Sequence, residues 1–82
     1  MPAANNDRKH NKRELDRAIG NITWSIQHIE GVKENFVNAA TQYAVMEQDV
    51  PDSYVETINN LSEISAALVV LGSLVNKVNE TI

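Results

Sequence analysis

The feature that most constrains this chain is an apolar residue at every seventh position, Leu15, Ile22, Ile29, Phe36, Tyr43 and Val50, with Ile19 and Ile26 interleaved between them. Such spacing is the seam of a coiled coil, because it keeps one edge of a helix turned toward one partner helix. Past Ile29 the interleaved positions become Lys33, Ala40 and Glu47, while Val32, Ala39 and Met46 carry apolar character on the neighbouring flank. The spacing Ile26, Ile29, Val32 predicts a stammer-like skip that overwinds the seam or aims it at a different neighbour.

A second patterned segment holds Tyr54, Ile58, Leu61, Ile64, Leu68, Leu71, Val75, Val78 and Ile82, with its own skip at Ile58, Leu61, Ile64. Between the two lies Asp49-Val50-Pro51-Asp52. Proline disfavours a helical residue before it and suits the first turn of a helix after it, so this is the natural turn. Ser53 followed three residues later by Glu56 forms a capping-box pattern. The expected fold is all-α: an antiparallel hairpin of two long, coiled-coil-like helices that assembles into a multi-helix bundle. One helix is expected over about 11–48, a turn over 49–52 and a helix over about 53–81, behind a basic, polar and partly disordered arm at residues 1–10. The rival is a three-helix bundle broken near Glu30-Gly31, since glycine often ends helices. Val32-Lys33-Glu34 supplies no capping residue to restart one, which favours continuity.

Assembly is expected because a domain of 82 residues buries only about 60 to 65% of the surface of its unfolded chain. No cysteine is present to staple it or to hold a metal through thiolates. Around Ala66 to Val75 apolar side chains point to every side, which calls for more than one neighbour. Leu61, Ile64, Leu68, Leu71, Val75 and Val78 are therefore the expected oligomer core, with Gly72 and the alanines admitting close helix approach. The uninterrupted run is short of the roughly 20 residues a membrane span needs. No apolar h-region follows the basic residues at the N-terminus. A soluble cytoplasmic protein without membrane attachment is the expectation.

Trp24 departs from the pattern. At about 100° per residue, Gly20, Trp24, Gln27 and Gly31 fall within about 60° of one another, opposite the Leu15/Ile19/Ile22/Ile26 stripe. Interior helical glycines cost roughly 1 kcal/mol each relative to alanine, so two of them beside an outward tryptophan imply a close approach from outside. A partner or ligand surface of Arg13, Arg17, Gly20, Trp24, Gln27, His28 and Gly31 is the expectation. Its visitor is another subunit, a heterologous protein anchored on the indole, or a planar anion stacked there.

Charge limits the other classes. Residues 1–17 carry five cations against three carboxylates, whereas residues 18–82 carry Lys33 and Lys77 against eight, for a net −4. An acidic body argues against wrapping nucleic acid. The arm Arg8-Lys9-His10-Asn11-Lys12-Arg13 has no interleaved aromatic and no helix-turn-helix pattern, so nucleic acid or nucleotide is a minor partner expectation. His10 and His28 lie far apart in sequence, and no glycine-rich phosphate loop occurs. Neither an enzyme, a cofactor nor a metal site is expected.

A hairpin of this scale with a Pro-Asp turn is similar in outline to the needle-forming subunits of bacterial secretion systems and to small WXG-type hairpins. Here Trp24 lies mid-helix without the x-Gly of that turn, and the turn has only Pro51, so no family follows. Size and Asn-rich composition also resemble small helical accessory proteins of bacteriophages, without a shared motif. The expected function is non-enzymatic: a homo-oligomeric helical binding protein of accessory or adaptor type. Two alternatives stand beside it. One holds a phosphorylated planar ligand, or nucleic acid, through Arg13, Arg17 and Trp24. The other is a structural subunit of a virion or filament.

Overall fold

The structure, a computed structural model, describes the backbone of residues 2–81 and the side chains of residues 8–81. Two helices account for nearly all of it: α1, Pro2–Val45, and α2, Asp52–Glu80, packed as an antiparallel hairpin. The rod measures 69 × 14 × 14 Å with a radius of gyration of 19.2 Å, against about 12 Å for a compact domain of this length. α1 begins at Pro2 rather than near residue 11 and ends at Val45 rather than near Gln48. The side chains of residues 1–7 of the expected arm lie outside the described residues.

α1 ends in a Schellman motif. The Gln48 N–H donates to the Tyr43 carbonyl at 2.9 Å and the Glu47 N–H to the Ala44 carbonyl at 3.0 Å, with Glu47 left-handed at φ 57°. Two carbonyls orphaned by the helix end are thereby satisfied. The capping box does not form: Pro51 is the N-cap, without a side-chain cap bond, and Ser53 lies inside α2. Proline there fixes the chain direction, and the Tyr54 N–H closes the first turn on the Pro51 carbonyl at 3.0 Å. Tyr54 then inserts between Phe36 and Tyr43, its ring centroid 5.7 and 5.4 Å from theirs in edge-on contact. The neighbouring Tyr54 hydroxyl, by hydrogen bonding and then by charge, pushes the Tyr43 phenol up from its ordinary value.

Neither expected skip occurs. On α1 the half-buried residues Leu15, Ile19, Ile22, Ile26, Ile29, Lys33, Phe36, Ala40 and Tyr43 keep the alternation of fours and threes throughout; beside them Ala18, Ser25 and Ala39 are half-buried too, while Val32 and Met46 are exposed. α1 also runs unbroken through Gly31, which excludes the three-helix alternative. On α2 the line facing α1 is Tyr54, Ile58, Leu61, Ser65, Leu68, Gly72, Val75 and Asn79. Of the expected oligomer core, Leu61, Leu68 and Val75 lie on this line. Ile64, Leu71 and Val78 lie one residue off it and are 44–51% exposed.

The reason is steric and polar together. α1 presents large isoleucines, and small residues opposite let them in: Ile22 Cγ2 lies 3.6 Å from where a Cβ on Gly72 would stand. The polar members of the line find partners, with the Ser65 hydroxyl donating to Glu30 Oε1 at 2.7 Å and the Asn79 amide to Asp16 Oδ1 at 3.0 Å. Buried polar groups cost free energy unless so paired, and Asn79 Oδ1 remains a buried acceptor without a partner. These two bonds fix the register. They place Glu80 level with Leu15, so Pro2–Glu14 extends past α2 by about 20 Å at 1.5 Å per residue.

Candidate functional site

Burial inside one hairpin is slight. Among the described residues only Leu61 and Ser65 are buried, and no large side chain is fully enclosed. The helix that should be the core is covered on one side. Ile64, Val69, Val70, Leu71, Leu74 and Val78 are each 44–59% exposed, around most of the circumference of α2. By length and composition alone α2 would also suffice to cross a membrane; the uninterrupted apolar run is too short, but the helix as a whole is not.

The two edges of the hairpin differ. In an antiparallel pair, residues displaced in the same rotational sense from the two seams share an edge. Asp16 and Glu30 mark one edge, where both interhelical side-chain bonds sit. The other edge receives Val32 and Met46 from α1 beside Ile64, Leu71 and Val78 from α2, with Leu74 continuing the surface around α2. On both helices this edge completes a second alternation of threes and fours. Leu61, Ile64, Leu68, Leu71, Val75 and Val78 form it on α2 and Leu15, Ala18, Ile22, Ser25, Ile29 and Val32 on α1. A helix with two overlapping seams is suited to two neighbours, as in a bundle of more than two helices. Each helix here has one.

The second expected surface lies on the outside of α1. Arg13, Arg17, Gly20, Trp24, Gln27, His28 and Gly31 are all exposed, Trp24 at 62%. The indole meets His28, one turn on, with ring centroids 3.9 Å apart and planes at 67°. A Cβ at Gly20 or Gly31 would meet nothing within 4 Å, so the hairpin itself does not require either glycine. Arg17 is held by Glu14 at 2.7 Å. Arg13, Arg17 and Trp24 follow one another along a single straight helix, with roughly 6 and 10 Å of rise between them, and α2 does not face them. A shallow groove beside this face is lined by Ile26, Gln27, Glu30, Gly31, Lys33 and Val37.

Two features escaped sequence reasoning. The Ser65, Gly72, Asn79 line looked like polar interruption beside a cleaner apolar alternation, and only the isoleucines and carboxylates of α1 explain it. The left-handed Glu47 carries no glycine or asparagine to announce it. Among the described residues no group of three or more His, Cys, Asp or Glu side chains could hold a metal ion. Comparison with protein-family models, with curated proteins and with solved structures finds no match.

Proposed function

We propose that this chain is a non-enzymatic, homo-oligomeric binding protein of accessory or adaptor type. In this reading α2 forms the oligomer core, and the Trp24 face of α1 is left for a protein partner. The observation that carries it is the exposure of Ile64, Leu71, Leu74 and Val78 on a helix whose partner α1 covers one side. A contiguous exposed apolar surface of this kind marks an association site in a water-soluble protein. Trp24 supports the second surface, because tryptophan is enriched among the residues that anchor protein interfaces. A cysteine-free chain working in the cytoplasm fits the same reading.

Absolute mass in solution, by light scattering behind a sizing column over a range of concentrations, tests it. A closed oligomer of constant mass is expected for the native chain and for Trp24→Ala. Mass that grows without closing would instead favour the subunit of a filament or virion. A monomer at all concentrations sinks the proposal.

A further inference from the structure

We infer that the occupant of the Val32/Met46/Ile64/Leu71/Leu74/Val78 edge is a second copy of this chain, laid antiparallel so that the basic end of each hairpin flanks the acidic turn of the other. The inference rests on the homo-oligomeric reading above and adds partner, number and orientation to it.

Area argues for a second copy. The hairpin exposes 6253 Å², whereas a folded monomer of 9.1 kDa exposes roughly 4,900 Å². Part of the difference, about 1,300 Å², belongs to the length of α1 beyond α2. A stable interface removes about 800 Å² from each partner, which the excess can accommodate. Both helices bring a second seam to the same edge, so two hairpins meeting there form a four-helix bundle with each seam filled.

Charge then selects the orientation. A two-fold axis relating two hairpins face to face runs either along the rod, placing both turns at one end, or across it, placing them at opposite ends. Residues 8–17 hold Arg8, Lys9, Lys12, Arg13 and Arg17 against Glu14 and Asp16, a balance of +3. Residues 47–56 hold Glu47, Asp49, Asp52 and Glu56 and no cation, a balance of −4. These segments lie at opposite ends of a 69 Å rod. An axis along the rod gathers both acidic turns within a few Debye lengths of each other, about 8 Å each at physiological salt, and both basic ends likewise. An axis across the rod pairs unlike ends twice. With that axis near Val32, Arg13 and Arg17 of one copy come level with the turn of the other, and the length of α1 beyond α2 gains a surface to lie on.

Spin labels on single cysteines test this, because the native chain has none to interfere. Asn11→Cys and Gln48→Cys place labels on exposed positions at the two ends, and mass is measured on the same samples. The expected result is a dimer in which the 11-to-48 distance between copies is short. Labels at 11 and 11, or at 48 and 48, should then be on the order of 40 Å or more apart, from the rise of 1.5 Å per residue. A dimer with short 11-to-11 distances, or a closed mass above the dimer, overturns this inference while homo-association stands. A monomer, free or carried on phosphatidylcholine vesicles, overturns both.

Discussion

Two single residues sit in places that another side chain would fill better, and both follow from geometry that spacing alone does not reveal. Glu47 takes the left-handed position of the Schellman motif, where a Cβ crowds the following carbonyl and glycine is the usual occupant. Glu47→Gly should relieve that crowding, less the extra freedom glycine has in the unfolded chain, for a net gain of about 0.5 kcal/mol. A rise in the chemical-denaturation midpoint at unchanged slope would show it; a fall would mean that the glutamate side chain holds the turn. Lys33 is half-buried on the α1 seam, and among the described residues no carboxylate pairs with it. A lysine at such a position can keep its stem on apolar surface only while its head reaches water. Lys33→Leu should extend the seam and stabilise the fold by about 1 kcal/mol, read from the same midpoint. Loss of stability there would mean that the ammonium has a partner the hairpin lacks.

At the scale of the helices, the seam of α1 was legible as far as Ile29, where its apolar residues alone determine which edge faces inward; beyond it Lys33 and Ala40 hold the seam although Val32, Ala39 and Met46 are the more apolar flank. Leu15 through Tyr43 recur every seven residues with nothing competing before Ile29. α2 was legible as a helix and illegible as a face. Two alternations share Leu61, Leu68 and Val75, and hydrophobicity ranks Ile64 and Leu71 above Ser65 and Gly72. What decides between them is complementarity to α1, a property of the pair that neither helix carries alone. The expected site divides the same way: Trp24 and its glycines could be placed outward from helix geometry, whereas the edges of the hairpin required the register. Gly72 tests this account. A Cβ there would stand at ordinary contact distance, 3.6 Å from Ile22 Cγ2, so Gly72→Ala should recover part of the roughly 1 kcal/mol of helix propensity that glycine forfeits. Gly72→Leu should instead drive the helices apart and lower the melting temperature, since overpacking costs on the order of 1–3 kcal/mol. Equal behaviour of the two variants would mean that Gly72 does not face α1.

The hairpin as a whole is under-buried, and that property makes the two faces of α2 separable by experiment. Val75 lies on the line against α1, while Leu71, four residues before it, lies on the uncovered flank at 44% exposure. A carboxylate at 75 must be desolvated between the two helices of one chain, so Val75→Asp should unfold the hairpin at any concentration, with loss of helical circular dichroism. A carboxylate at 71 meets water in an isolated hairpin and apolar surface only in an assembly. Leu71→Asp should therefore lower the mass and the melting temperature of the associated state. Native protein should melt at a temperature that rises with protein concentration, because association stabilises by mass action. In Leu71→Asp that dependence should vanish, leaving a lower transition that dilution does not move. A native melting temperature that ignores concentration over a hundredfold range, together with a silent Leu71→Asp, would mean that one hairpin suffices and that the exposed flank of α2 serves something other than its own kind.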